Sequence, residues 1–455
     1  MPPEMPSETS GDDRLNLLDD LIKRALAAGA DAADAVYVEG ISVTLACRLG
    51  ETEHLERSEG SDLGLRVFKG KRQAIVSSSD VSPGIFDELT ARAVAMAGSV
   101  PEDPYCGIAD AAQIMADTNV DLDTVDPVEQ SADQLKAWSL EAEDAARAVK
   151  GVTNSEGAQA SWSRSSVALM ASNGFSGVRA GTRCGGSVSV LAGEGTGMER
   201  DYDYATAIYA SDLPPAAELG RSAGAKTVAR LNPRKVETTQ VPVLFDPRVS
   251  GSMLGHLSGA INGSAIARGT SFLKDRMGEQ IFPTSINIID DPLRKRGLRS
   301  KAFDGEGLPT RERKIIENGV LQSWTMDLRS ARQLGLESTG SAARGTSSPP
   351  GAGQTNFYMV AGEMMPAELM ADIGTGLYVT EMIGHGGNPV TGDYSRGATG
   401  FWIENGEIAY SVSEITIAGN LNDMFANLSA ANDLEFKRGT DAPTIRIEGM
   451  TVAGK

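Results

Sequence analysis

Three histidines, His54, His256 and His385, are the only imidazoles in this 455-residue chain. A hydrolytic zinc site needs about three side-chain ligands, commonly His with Glu, Asp or Cys, and a general base beside the open position. The compact helical form of such a site, His-Glu-x-x-His, does not occur. His54 stands in the charged run ETEHLERSE and reads as a solvated surface residue. His256 lies in MLGHLSGAINGSAIARGTSF, where Val249, Met253, Leu254, Leu257 and Ile261 recur at helical spacing. It reads as a packing or interface residue at the edge of that helix. His385 belongs to a run from Gly384 to Gly400 crowded with Gly, Asn, Pro, Asp and Ser, residue types that permit positive φ and tight turns. A neutral imidazole there either faces water or hydrogen-bonds a bound peptide or a partner loop. Asp393 and Ser395 follow in TGDYSRG, and such side chains commonly cap nearby backbone N–H groups.

Other chemistry is weaker. Cys47, Cys106 and Cys184 are odd in number and lack CxxC spacing, which points to free thiols in a reducing compartment. Gly220 to Gly224 spell G-x-S-x-G, but inside the Ala-rich helical run PPAAELGRSAGAKTVARL rather than at a strand-to-helix elbow. The overlapping GRSAGAKT has Ala225 where a phosphate loop needs its second glycine. Gly193-x-Gly195-x-Gly197 has no helix after it and reads as a turn between strands. Asp201 and Asp203 alternate with Tyr202 and Tyr204, as in a half-exposed strand with its acids in water. Met364-Met365 reads as core.

The elements that must position these residues follow from periodicity and punctuation. Residues 1–14 form a polar, acidic stretch expected to be a disordered tail. A helix carrying Leu15, Leu18, Leu21, Ile22 and Ala25 is expected to close at Gly29. ADAVYVEG, VTLACRLGETEHLERSE and LGLRVFKGKRQAIVSS read as antiparallel strands separated by Gly and charged turns. Ser82-Pro83 opens a helix with Ile85, Leu89, Ala93 and Met96 on one face. Asp126-Pro127-Val128-Glu129 has the form of a helix start. More strands follow around an Asn173-Gly174 turn, and then a helix from about Pro215 to Leu231. The polar stretch 232–240 is the expected domain boundary, dividing an N-terminal domain, 15–236, from a C-terminal one, 237–455. In the second, VPVLFD is a buried strand, and Asn318-Gly319 and Asn405-Gly406 fit type I′ hairpin turns. RGTSSPPGAGQTN, 344–356, reads as a mobile loop, and GTDAPTIRIEGMTVAG as a terminal strand pair. The fold class is therefore α+β, with helices and antiparallel strands first and a domain rich in β-hairpins after.

Three segments together resemble a known family. They are NPVTGDYSRGATGFWIENGEIAYSVSEITIAGNLNDM, the block VPVLFDPRVSGSMLGHLSGAINGSAIARGTSFL, and GSDLGLRVF near the start. The chain is similar over nearly its whole length to the TldD/PmbA family, once called modulators of DNA gyrase, and most so to its PmbA (TldE) branch. In the catalytic TldD branch the block corresponding to LGHLSGA resembles a helix bearing His-Glu-x-x-x-His. Here there is one imidazole, no adjacent Glu and no second His; the first acid after His256 is Asp275. The branch also takes a late cysteine ligand, and no cysteine follows Cys184. The resemblance thus implies a metal-free, non-catalytic subunit with no cofactor. It would pair with a TldD-like chain in a metallopeptidase complex that degrades unfolded peptides and trims leader peptides. His256, His385, Asn388, Asp393 and Ser395 are the candidates for a peptide groove or partner contact. The alternative is a self-sufficient homodimeric metallopeptidase, with a site assembled from residues such as His256, His385 and Asp393.

Composition sets the outer limits. A net charge of −19 opposes binding to nucleic acid through phosphates. No run of about 18 apolar residues suggests a membrane span, and the opening MPPEMPSETSGDD lacks the form of a signal peptide. The expected setting is the cytoplasm.

Overall fold

The computed structural model describes residues 11–454. The first layer is a six-stranded antiparallel sheet. Its strands are β1 (Ala32–Arg48), β2 (Glu51–Lys69), β3 (Arg72–Ser78), β4 (Val152–Ala171), β5 (Ser176–Ala192) and β6 (Glu199–Ala207), in the order β3-β2-β1-β4-β5-β6. Four helices cover one face: α1 (Gly11–Ala27), α2 (Phe86–Ser99), α3 (Ala132–Arg147) and α4 (Ala216–Ala229). Leu18, Leu21, Ile22 and Ala25 of α1 meet Ala33, Ala35 and Tyr37 of β1, each buried leucine contributing about 1.5–3 kcal/mol. Leu135 and Ala142 of α3, and Leu219 and Ala223 of α4, cover the far end of the same face.

Several expectations are corrected here. Residues 11–14 are the first turn of α1, and Arg14 reaches Ser166 Oγ at 2.8 Å, so the tail expected over 1–14 does not extend that far; residues 1–10 lie outside the described residues. Gly40 and Gly60 do not break their strands but face each other within one long ladder. The turn is Leu49-Gly50, both at positive φ, and its N–H groups donate to the buried Glu143 carboxylate of α3 at 2.8 and 3.0 Å. In α2 the buried face is Phe86, Leu89, Ala93 and Ala97, while Met96 is exposed. The third helix begins at Ala132, where Ser131 and Gln134 form a capping box. Asp126 instead accepts the N–H groups of Val128 and Ala210, both at 2.9 Å. As expected, Gly29 (φ +101°) ends α1 and Asn173-Gly174 joins β4 to β5.

The second half runs β7 (Thr239–Phe245), α5 (Pro247–Ala260), α6 (Gly263–Ala267), β8 (Ile288–Asp290), β9 (Arg313–Glu317), β10 (Val320–Leu321) and α7 (Leu328–Leu334). It continues through β11 (Ala342–Ala343), β12 (Gly351–Ala352), β13 (Phe357–Met359), α8 (Pro366–Met370), β14 (Thr375–Ile383) and β15 (Asp393–Glu404). The last elements are β16 (Glu407–Asn420), α9 (Leu421–Ala426), β17 (Leu428–Ala430), β18 (Thr440–Asp441) and β19 (Ile445–Ala453). The order β16-β15-β14-β7-β19-β17, with an added β16–β19 pairing, closes five of these strands into a barrel. β7 and β14 are parallel; the other barrel neighbours are antiparallel. A smaller sheet, β10-β9-β8-β13-β18, packs on the same core as the barrel, and α5 fills the space between them with Met253, Leu254 and Leu257. The type I′ turns hold, with Asn318 and Gly319 at φ +49° and +80° and Asn405 and Gly406 at +52° and +80°. The terminal segment is not a strand pair: β18 joins β13, and β19 joins β7, β16 and β17. The chain is α+β as expected, with its second half more closed than hairpins alone imply.

The two halves meet across the uncovered face of the first sheet. There Val36, Leu169 and Phe175 pack on Ala302 and Phe303. The segment 344–356 is anchored rather than free. Arg344 is buried against Asp34, which Arg66 also grips, with side-chain exposures of 2–4% throughout. Thr346 lies so close to β2 that a Cβ on Gly64 would come within 2.2 Å of its carbonyl oxygen. No described helix is long and apolar enough to cross a membrane.

Candidate functional site

Asp246 caps α5 by accepting the Arg248 N–H at 2.9 Å, and Pro247 occupies the first turn. One face of α5 is spent on the core. On another face Arg248, Ser252 and His256 recur every four residues and so share a line along the helix. His256 is half-buried, and its ring meets Tyr394 edge to face, with centroids 5.5 Å apart. Gly387 of the 384–400 run closes over the ring: a Cβ there would lie 2.8 Å from His256 Nδ1. Burial, and then the charge of Arg396, hold the imidazole below its usual range. It is therefore a neutral ring beside a fixed cation, and no carboxylate or second imidazole is bonded to it among the described residues. Burial pushes the neighbouring Tyr394 hydroxyl up to about 12, and that hydroxyl lies 3.3 Å from Met382 Sδ.

This line of α5 borders a cleft of about 740 Å³ between β4–β6 of the first sheet and α5, β14 and β15. Arg248, Ser252, Glu381 and Arg396 line one wall, and Ser189 and Tyr202 the other. Arg248 reaches Asp201 at 2.7 Å, and Arg230 reaches Glu381 at 2.6 Å. Asp201 and Asp203 are thus buried, not in water: Asp203 takes Lys226 at 2.6 Å and Ser222 Oγ. The alternation was legible, but it is the two tyrosines that are half-exposed. Each acid also accepts the next residue's N–H, Tyr202 at 2.8 Å and Tyr204 at 2.9 Å, on a strand that pairs only with β5. Those two N–H groups are therefore already taken.

The remaining candidates sit in the loop above. The Asn388 amide oxygen accepts the N–H groups of Val390 and Thr391 at 2.9 and 3.3 Å. Asp393 accepts Thr391 Oγ1 at 2.7 Å and Asn420 Nδ2 at 3.2 Å. Both side chains hold the turn. His385 and Ser395 are exposed, and the Ser395 N–H donates to Gly386 O at 2.8 Å. The structure brings His256 to the loop through Gly387, Tyr394 and Arg396, and not through His385, Asn388, Asp393 or Ser395. Arg248, Ser252 and Arg396 were not singled out from the sequence; the four-residue spacing of the first two with His256 was the available signal. His54 is exposed beside Glu56, as expected. Met364 and Met365 are 45% and 54% exposed, which overturns their assignment to the core. Ser222 and its flanking glycines lie within α4, not at an elbow. Among the described residues no group of three His, Cys, Asp or Glu side chains is arranged to hold a metal.

Comparison with known proteins agrees with this architecture. Residues 238–454 match the PmbA/TldA metallopeptidase C-terminal domain, 125–231 the central domain and 33–97 domain 1. "Metalloprotease PmbA" of Escherichia coli O157:H7 is 37% identical over 445 residues, covering 96% of each chain. Two solved structures share the fold. One is described as a candidate modulator of DNA gyrase from Bacteroides thetaiotaomicron, with TM-score 0.89 and 24% identity over 98% of this chain and 100% of that one. The other is TldE from Thermococcus kodakarensis, with TM-score 0.85 and 22% identity over 96% of this chain and 100% of that one. At those identities the structures speak for the fold alone. The matched models and the near full-length PmbA likeness carry the assignment: this chain belongs to the PmbA/TldD metallopeptidase family.

Proposed function

We propose that the chain is the non-catalytic, PmbA/TldE-like subunit of a cytoplasmic metallopeptidase complex, acting with a TldD-like catalytic chain on extended peptides. The observation that carries this is the surroundings of His256. A metallopeptidase implies a metal, and the residues here do not fit one. The single imidazole is walled by Tyr394 and Gly387 and faces the guanidinium of Arg396 instead of a carboxylate. A cation fixed at that place repels a second one. Its Nε is buried without a partner, so the site is short of acceptors rather than donors. The 740 Å³ cleft next to it is polar and largely neutralised by its own ion pairs, which suits the uncharged main chain of an extended peptide.

The test uses purified chain, alone and with a TldD-like chain bearing His-Glu-x-x-x-His. Metal content and hydrolysis of an unfolded peptide are measured with and without chelator. The chain alone is expected to carry no stoichiometric zinc and no chelator-sensitive cleavage, and to co-purify with the catalytic chain. Stoichiometric zinc with chelator-sensitive cleavage by this chain alone would instead establish the homodimeric peptidase.

A further inference from the structure

A second cleft, of about 950 Å³, lies on the same sheet face, farther toward Phe303. Its floor includes Ser163 and Ser165 of β4 and Arg179, Gly181 and Arg183 of β5; the walls are residues 118–125, 297–305 and 342–344. The register explains the floor. Ser163 pairs with Arg183, Ser165 with Gly181 and Val167 with Arg179, so these side chains all leave the sheet on the uncovered side. Gly181 carries no side chain between the two arginines, and the Thr124 carbonyl lies 3.5 Å from where its Cβ would be.

The charges in this cleft do not balance. Among the described residues the Arg179 side chain has no hydrogen bond and no ion pair, and burial lowers its pKa. By its accessible surface, however, Arg179 is an exposed residue, so the cleft is open to solvent there. Among the described residues Lys301 Nζ donates only to the Ala342 carbonyl, at 2.9 Å. Burial, opposed by Asp304 and assisted by Arg179, pushes Lys301 down to about 8. Arg344 gives one nitrogen to Asp34, while its Nε and Nη2 are buried without partners at the back of the cleft. The acids nearby are already committed. Asp304 accepts the N–H groups of Glu306, Leu308 and Ala342 at 2.9–3.0 Å. Asp123 takes Arg296 at 2.6 Å, and Asp121 takes Lys295 at 3.5 Å. Arg179 thus has no counter-charge and Lys301 faces only Asp304 and Asp290, which leaves an excess of positive charge here, in a protein of net charge −19, that an anion would complete.

We propose that this cleft is a binding site for an oxyanion, the carboxylate or phosphate of a small ligand, held by Arg179 and Lys301 with Ser165 beside them and Arg344 behind. Arginine forks match both groups in two-point contacts, and lysine adds a point charge. The volume admits a ligand larger than a bare ion. The site is separate from the cleft beside α5 and stands whether or not the chain cleaves peptides.

Calorimetric titration of the full chain with sodium pyrophosphate and with acetyl-triglutamate separates the two sources of oxyanion; acetyl-triglutamine amide is the uncharged control. One charged probe or both should bind, more weakly as salt rises, and the control should not. Arg179→Gln and Lys301→Met should each weaken that binding by at least about tenfold. Because Arg179 has no partner to lose, Arg179→Gln should melt no lower than the parent, and pyrophosphate or acetyl-triglutamate should raise the melting temperature of the parent only. Failure of both probes to bind, binding unchanged in both variants, or an Arg179→Gln chain that unfolds would each overturn the assignment.

Discussion

Glu306 provides the sharpest test of how the two halves are joined. Its side chain is buried, and one oxygen accepts the Leu328 N–H at 2.8 Å. Burial, and then the neighbouring charge of Asp304, push the carboxyl up to about 8, against the pull of Arg66. In the unfolded chain it titrates near its usual 4.5. Between those values the folded chain keeps a proton that the unfolded chain has released, so stability falls as pH rises and levels off above about 8. One proton sets a ceiling of about 1.4 kcal/mol per pH unit. From about pH 6.5 to 7.5 the loss should approach 1 kcal/mol. Burial raises the adjoining Asp304 carboxyl as well, which adds in the same direction, and two other groups act mainly outside that window. His256 is held low, so its contribution rises with pH and is complete above its ordinary 6.5, and Lys301 acts only from about 8 upward. Urea unfolding at both pH values, with the slope on denaturant unchanged, measures the difference. Glu306→Gln keeps the shape and an acceptor for Leu328 without the titrating proton, so its stability should fall less than the parent's across the window. A parent whose stability is level or rising there, or a Glu306→Gln chain that keeps the parent's slope, would refute the reasoning.

Three further outcomes follow from single contacts. Asp34→Asn leaves Arg66 and Arg344 buried without their carboxylate and should cost about 3–5 kcal/mol; in a cycle with Arg344→Met the two effects should fall short of additive by at least about 1 kcal/mol. Burial raises the Asp34 carboxyl, yet Arg344 and Arg66 overrule it and hold it low, so this contribution persists to acid pH and fades only below the ordinary carboxylate range. Gly220→Val should destabilise by at least about 2 kcal/mol in thermal unfolding, because even a Cβ at 220 would lie 2.1 Å from the Ala142 carbonyl oxygen where α3 and α4 touch. Gly406→Val should cost about 2 kcal/mol or more, since φ is +80° and a Cβ would meet Ala371 O at 2.7 Å.

What the sequence displayed and what it concealed divide by range. The Asn-Gly turns at 318 and 405 were legible because the conformation is local and few residues tolerate it. The buried stripe on α5 was legible because its period is that of a helix. At Asp126 a correct local grammar was overruled: Ala210, far along the chain, competes for the capping carboxylate, and Ser131 with Gln134 offers a better box a few residues on. Asp201 and Asp203 were placed on the wrong side of their strand because Arg248, Arg230 and Lys226, which neutralise them, arrive from α4 and α5. The barrel could not be read either, since β16 and β19 meet only after the whole second half has closed. Arg396 escaped notice for the same reason: nothing in its own neighbourhood names His256 as the group it faces.

One sheet face supplies both clefts, so their difference must come from what the second half sets against it. Beside α5 most cations reaching in find an acid, Arg248 with Asp201, Arg230 with Glu381 and Arg200 with Glu156, and Arg396 at the His256 end is the exception among the described residues. Beside Phe303 the acids are spent on backbone N–H groups and on Arg296 and Lys295, so Arg179 and Lys301 are left over. A neutral extended main chain loses little on entering the first and gains nothing special in the second; for an anion the order is reversed. The same arithmetic applies at His256. Arg396 sets a positive charge beside that imidazole, and no carboxylate is bonded to the ring among the described residues. Removing that charge by Arg396→Met would lift the repulsion yet still leave one imidazole and no carboxylate, which is too few ligands for stoichiometric zinc.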